Sequence, residues 1–471
     1  MRNCWLRLCF FIGFLISQSG CRNQSASYDL ERFKYAIVVS NKTSNAPEWK
    51  KVVHVLDKKY PDTQTFIWQS DVNEVKKGLQ KYNPKYVCFV VQPEEMAKSS
   101  GDHFQPNPLV EKIHILIRNL DNDPYGDAIW GIITGYHAND ALRIAEQKQP
   151  LFINHATGAT KGWIEQVKSG VVYSETEDNT YFVKNSETNN KTIEKTDGPL
   201  DVTGQFAKQV NSNKIDALWS SSHATENDFS GFRHNKETGS IIAEDGQLMA
   251  LSLDRNNVYP INSDNPKIYL AAGNCLIGNI NKQNCMLTAW LHSGGVDQFV
   301  GYTNATWFGY IGWGVGKYFF EMPDNITFAE AFYMSNQALI YELNSNKMMD
   351  NRTLQGLTYD KNAVAFYGDP AWEVRTQKQQ IKETPLLFAP TLTTTSLKKK
   401  KVRFDLEVKM NDNTMLERPV IELLPFQVKN AKVVSTTTGR AVCTDNLILF
   451  SNDKEILKGT TIKIIVEAER L

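Results

Sequence analysis

Apolar residues fall along this chain in short runs that switch between two periods. Tyr35 to Ser40 is a continuous apolar stretch, the pattern of a strand buried on both faces. Trp49, Val52, Val53 and Leu56 then recur at helical spacing within Pro47 to Lys59. Thr65 to Trp68 reads as a strand, Val72 to Tyr82 as a helix and Tyr86 to Val91 as a second buried strand. Ile113 to Leu120 continues the apolar pattern. Strand and helix alternating with short links predict parallel βαβ units.

The turn cluster Asp121 to Asp127 interrupts this rhythm. Beyond it, Ile129 to Thr134 is apolar, a helix is predicted over Asn139 to Gln147, and a second alternating unit starts at Leu151 to Asn154. Residues 184–199 are polar and read as a surface hairpin or loop. A helix is expected near Phe206 to Val210, with buried strands at Ile215 to Trp219, Lys267 to Ala272 and Gln298 to Tyr302. Cys285 to Leu291 reads as a helix between the last two strands. Thr327 to Glu330 has the form of a capping box opening an apolar helix that runs to about Leu343. Ala363 to Tyr367 is one more apolar strand, closed by Gly368, Asp369 and Pro370. From Pro385 a Pro- and Thr-rich stretch leads into short alternating strands with nothing helical between them. The expected units are an α/β subdomain over 33–135, a second over 136–380 and a small all-β sandwich over 390–471.

The amino terminus reads as a leader rather than as fold. Arg2 and Arg7 precede the apolar run Leu8 to Ile16, then Ser17, Gln18, Ser19, Gly20 and Cys21 follow. The run is too short to span a bilayer. Residues 1–21 are therefore expected to direct export, with residues 22 to about 32 as a polar tether. Cys21 after small residues suggests a lipobox and a lipid anchor, although Gln18 stands where such motifs usually carry Leu. The chain has 52 basic and 52 acidic residues, so bulk charge argues against nucleic-acid binding. The run Lys398 to Lys401 reads as a solvated linker. Cys88, Cys275, Cys285 and Cys443 are too scattered for a disulfide scaffold, and no zinc-ligand spacing is present. No cofactor is expected.

Chemistry concentrates at two strand ends. Asp216 to Trp219 runs into a polar loop holding His223, and Ile268 to Ala272 runs into Gly273, Asn274 and Cys275. In open parallel sheets, functional groups gather at the carboxyl ends of strands. The two residues are about 50 positions apart, close to the caspase His-to-Cys spacing. A thiol needs a base to become a nucleophile, and an imidazole can take that proton or give one to the leaving amine. Backbone N–H groups beside the two residues would hold an oxyanion. Cys285 is an alternative nucleophile at a helix start, though Met286 and Leu287 beside it suggest packing.

Leu270 to Gly278, Ser293 to Val296, Val300 to Tyr302 and the aromatic segment Trp307 to Tyr310 resemble the nucleophile strand, helix and next strand of the gingipain-type cysteine peptidases. His223 to Glu226 is similar to that family's His-Gly-Ser-Glu, and Val364 to Pro370 to its Phe-Gly-Asp-Pro segment. The resemblance covers roughly residues 120 to 471. It implies a caspase-like catalytic unit followed by an Ig-like sandwich, with Cys275 as nucleophile, His223 as general acid and base, and a polypeptide substrate. The oxyanion donors would be the N–H groups of Cys275 and Ala224. Two departures stand out. Ala224 replaces the family's Gly, and can serve only where its φ is negative. A gapless alignment with arginine-specific members would put Leu276 at the nucleophile; alignment with lysine-specific members keeps Cys275 and its spacing to Gly278, and is preferred.

Glu226, His155 and Asn274 are expected as site support, with His155 placed after the strand ending at Asn154. Asp228 is a further candidate to orient His223. Thr306 and Trp307, within the aromatic stretch Thr306 to Trp313, read as a pocket wall or as core. The expected activity is an exported cysteine endopeptidase. The alternatives are an envelope binding or scaffold protein of the same fold, and an acyl or peptide transferase using the same dyad.

Overall fold

The computed structural model describes residues 33–97, 102–174, 180–185, 194–197, 201–230, 239–322, 326–345, 349–376 and 387–471. The leader, the tether and Cys21 lie outside these residues. Among the described residues, no helix is long and apolar enough to cross a membrane.

A 12-stranded sheet organises the α/β part. Residues 33–135 supply β1 (Tyr35–Ser40), β2 (Thr63–Trp68), β3 (Tyr86–Val90) and β4 (Ile129–Ile133). β1, β3 and β4 are buried at every position, as their unbroken apolar runs require. The helix Pro47–Lys59 starts on Pro47 and buries Trp49, Val52 and Leu56 at spacings of one helical face. The Ile113 to Leu120 pattern belongs to the helix Pro108–Ile117.

The Leu151 to Asn154 pattern divides in two. β5 (Leu151–Ile153) leaves the main sheet, and β6 (His155–Gly158) enters it. β7 (Ser169–Tyr173), β8 (Thr180–Lys184) and β9 (Glu194–Asp197) complete that end; the last two pair antiparallel, and β9 lies within the segment 184–199 read as a hairpin or loop. β10 (Ala217–Ser220) follows. An antiparallel four-stranded sheet then intervenes: β11 (Asp228–Ser230), β12 (Ser240–Glu244), β13 (Gln247–Leu251) and β14 (Val258–Ile261). β15 (Lys267–Ala271), β16 (Val296–Tyr302) and β17 (Val364–Tyr367) return to the main sheet. Its order is β2-β1-β3-β4-β17-β16-β15-β10-β6-β7-β8-β9.

The sheet is mostly but not wholly parallel. β16 and β17 pair antiparallel, while β17 runs parallel to β4 and β16 parallel to β15. The block from β2 to β17 therefore runs opposite to the block from β16 to β7. The described residues of 33–135 are built into the same sheet as the rest, because β17 pairs directly with β4. The capping box forms as expected: Thr327 Oγ1 accepts from Glu330 N–H at 3.2 Å and Glu330 Oε2 accepts from Thr327 N–H at 2.8 Å, opening the helix Phe328–Asn344.

Two antiparallel sheets make up the carboxyl-terminal region. One has four strands, Phe388–Ser396, Lys401–Met410, Thr461–Arg470 and Val428–Thr436 in that spatial order. The other has three, Val420–Leu423, Leu447–Ser451 and Arg440–Cys443. Alternation decides which face is buried: Val402, Phe404, Leu406 and Val408 point inward, as do Ile462, Ile464 and Val466 on the neighbouring strand. The run Lys398 to Lys401 lies exposed at the turn joining the first two strands.

This region docks on the α/β part through polar contacts. Tyr333 Oη donates to Gly126 O at 2.6 Å and lies 2.8 Å from Asn446 Oδ1, and Arg418 lies 3.8 Å over the Tyr310 ring. Beside them, carboxylate oxygens of Asp121, Asp127 and Asp445 lie within 4.8 Å of one another. Burial, with repulsion from neighbouring carboxylates including Asp123, pushes Asp127 up to about 9 and Asp445 up to about 8. Folding therefore favours their protonated forms. Their stabilising contribution is complete below pH about 4 and is lost as pH rises through 8 to 9. Thermal midpoints measured from pH 5 to 9 are expected to fall with pH in the wild type, and to fall less steeply in Asp445→Asn. Equal slopes would contradict this assignment.

Candidate active site

β10 and β15 are neighbouring parallel strands, with Ala217 opposite Ile268 and Ser220 opposite Ala271. Their carboxyl ends therefore finish side by side. Ala272 N–H still donates to Ser220 O at 2.8 Å, so the pairing persists one residue into the loops. A Cβ at Gly273 would lie 2.4 Å from Ser221 Oγ, so the absence of a side chain there lets the two loops touch. The His223 and Cys275 segments thus leave one sheet edge together.

Cys275 is half-buried, and its Sγ donates to Thr306 O at 3.4 Å. Burial pushes the thiol up, while the Thr306 contact pulls the other way. Leu276, the next residue, has φ of 58°, an uncommon conformation for a residue with a side chain. Its N–H donates to Asn304 O at 2.9 Å, and Gly278 N–H donates to Tyr302 O at 2.9 Å. A Cβ at Gly278 would meet Gly301 O at 2.6 Å. Both contacts fasten the Cys275 loop to the end of β16. Cys285 is fully buried next to Thr288, and burial raises its thiol. It is a packing residue, as its apolar neighbours suggest.

His223 is exposed, and Ala224 beside it is buried and forms a bridge to Phe229. Ala224 is not among the non-glycine residues of positive φ, so the condition on its backbone is met. Glu226 is buried and fastened: its carboxylate accepts from Asn279 Nδ2 at 3.0 Å and lies 3.8 Å from His103 Nδ1, and its carbonyl accepts from Met286 N–H at 2.7 Å. Asp228 lies 3.1 Å from Thr225 Oγ1 and helps shape the loop. Asn274 is fully buried between the two loops, bonded to Ser220 Oγ and to Ser222 O.

His155 requires a correction. It opens β6 rather than closing a strand, and its N–H donates to Asp216 Oδ2, just before β10 begins. β6 runs parallel to β10, so His155 sits at the amino-terminal edge of the sheet, across the length of the strands from His223. Its ring Nδ1 lies 2.6 Å from Ser169 Oγ, a local contact. It takes no part in the site.

The aromatic stretch divides between exposed and packed side chains. Trp307 is 47% exposed and packs near Phe308 and Tyr359, with Arg352 at 6.0 Å from its ring. Trp313 instead packs on Trp163. Tyr359 was not legible as a site residue. Its phenol is pushed up to about 12 by burial and then by the neighbouring Cys275 sulfur, and its Oη donates to Ala305 O at 2.6 Å. Segment 102–107 was missed as well. Ala305 N–H donates to His103 O at 2.7 Å, and buried Asn107 joins Asn279, which in turn joins Glu226. Asn107 also caps the helix Pro108–Ile117, its Oδ1 accepting from Leu109 N–H at 3.1 Å. Nothing in its neighbourhood signals the site.

The sequence matches no protein-family model, and no curated protein matches it.

Proposed function

We propose that this chain is an exported cysteine endopeptidase with a caspase-like catalytic unit and an Ig-like carboxyl-terminal sandwich, resembling the gingipain-type peptidases. The observation that carries the reading is the parallel pairing of β10 with β15, which ends the strands leading to His223 and Cys275 side by side at one sheet edge. The substrate is a polypeptide, and export with anchoring through Cys21 belongs to the same proposal.

The burial of Cys275 shapes the mechanism. Burial raises the Cys275 thiol, and His223 acts as its general base when a substrate arrives. The Cys275 proton moves to His223, the sulfur bonds to the scissile carbonyl carbon, and the carbonyl electron pair moves to oxygen. The N–H groups of Cys275 and Ala224 hold that oxyanion. Collapse of the intermediate breaks the C–N bond, and the His223 imidazolium gives its proton to the leaving amine. Water then attacks the thioester with His223 again as base. This releases the new carboxyl group and restores the thiol. Trp307 and Tyr359 wall the cleft in this reading.

A second reading, an envelope binding protein without turnover, draws support from the same raised thiol, because an inert Cys needs no activation. Alkylation with iodoacetamide at neutral pH separates the two. Cys88 and Cys285 are buried, and burial pushes Cys443 up to about 12. The peptidase reading expects Cys275 to label first, and several-fold more slowly in His223→Ala. Absence of selective labelling favours the binding protein.

A further inference from the structure

We propose that Asn274 is the positioning residue of the dyad, setting the place of His223 relative to Cys275 through one buried side-chain amide. This rests on the peptidase reading of the site. Asn274 directly precedes Cys275, and Ser222 directly precedes His223. Asn274 Nδ2 donates to Ser222 O at 2.8 Å, and Asn274 Oδ1 accepts from Ser220 Oγ at 2.6 Å. Asn274, Ser220 and Tyr269 are at most 1% exposed.

The orientation of the amide follows from counting protons. A serine hydroxyl has one to give. Ser220 gives it to Asn274 Oδ1, so the Tyr269 hydroxyl, 2.8 Å away, must donate to Ser220 Oγ. The chain then runs in one direction: Tyr269 to Ser220 to Asn274 to the Ser222 carbonyl. Tyr269 and Asn274 belong to β15 and its loop, whereas Ser220 and Ser222 belong to β10 and its loop. The amide is thus stitched twice across the gap between the strands that carry the two reacting groups. Buried bonds of this kind are rigid because neither partner has water to turn to. Past Ala272 the backbone pairing of the two strands ends, and this amide takes over the spacing of the loops. Gly273 lets them approach closely enough for it to reach. Asn274 touches no substrate in this account and acts through His223.

The test is the pH profile of Cys275 alkylation by iodoacetamide in the full chain, for wild type, His223→Ala, Asn274→Ala, Ser220→Ala and the Asn274→Ala/His223→Ala pair, with thermal midpoints alongside. Misplacement of a reacting group by about 1 Å costs up to about 100-fold. The expected result is that Asn274→Ala lowers the neutral-pH rate several-fold, as far as His223→Ala does. Its profile should collapse onto that of His223→Ala, and the pair should be no slower than His223→Ala alone. Ser220→Ala, which frees the amide to turn, should move in the same direction and serves as the variant of record if Asn274→Ala does not fold. A purely structural role would lower the thermal midpoint and leave the His223-dependent profile in place. That outcome, in either variant, overturns the positioning role alone. Identical profiles for wild type and His223→Ala would overturn the dyad itself, and this role with it.

Discussion

Replacing His223 with Ala is expected to lower kcat/KM for peptide cleavage by about 100- to 10,000-fold, the usual range for a general acid-base group. The loss should fall on kcat, because the imidazole works on the reacting bonds and not on remote substrate contacts. In the proposed mechanism His223 serves twice, as base toward the thiol and as acid toward the amine, and burial of Cys275, which raises its thiol, adds to the need for the first role. The side chain is exposed, so the thermal midpoint should change little. A variant that unfolds readily but cleaves at wild-type rate when folded would place His223 in structure and not in chemistry.

The second large effect is on stability. Asp369 is fully buried, and its carboxylate accepts from Tyr35 Oη at 2.8 Å, Tyr60 Oη at 2.6 Å, Lys59 Nζ at 2.7 Å and Ala371 N–H at 3.0 Å. These partners come from β1, from the end of the helix Pro47–Lys59 and from the loop after β17. One carboxylate therefore joins the first strand of the fold to the last strand of the main sheet. Asp369→Ala leaves Lys59, with a side chain 8% exposed, as an uncompensated buried charge. The expected loss is about 3–5 kcal/mol, read from urea unfolding. Replacing both partners with apolar residues, as in Asp369→Leu/Lys59→Met, should recover part of that loss, since the pair must also overcome its own desolvation. A loss below about 1 kcal/mol, the size of a surface ion pair, would contradict the account.

Much of the main sheet was legible because buried strands cannot disguise themselves. β1, β3 and β4 carry apolar residues at nearly every position, and the short helices between them show one apolar face. Strand direction was not legible. β17 is apolar throughout and β16 is apolar apart from Asp297 and Gln298, and such runs read the same whether the neighbour is parallel or antiparallel. The four-stranded insertion over Asp228 to Ile261 was missed because its strands are short and partly polar. His155 was misplaced for a related reason. The apolar run Leu151 to Ile153 suggested one strand ending before it, whereas the chain changes sheets at Asn154 and starts a new strand at His155.

The site divides in the same way. Cys275, His223, Gly273 and Asn274 stood out because each lies at the end of an apolar run, where a polar or flexible residue is conspicuous. Asn107, Asn279 and Tyr359 did not. They reach the site from segments far apart in the chain, and each has an ordinary local reading as a cap, a loop or a helix face. The amide chain from Asn107 through Asn279 to Glu226 shows that the segment 33–135, through Asn107, helps hold the His223 loop. Its integration into the main sheet argues against its being a detachable propeptide.

The central claim is that Cys275 cleaves peptide bonds. The direct measurement is cleavage of a diverse peptide library by the wild-type protein and by Cys275→Ala, with products identified by mass. The account predicts discrete cleavage sites for the wild type and none above background for Cys275→Ala, with both proteins equally folded. Equal cleavage by the two proteins, or no cleavage by a folded wild type in any library, would contradict it.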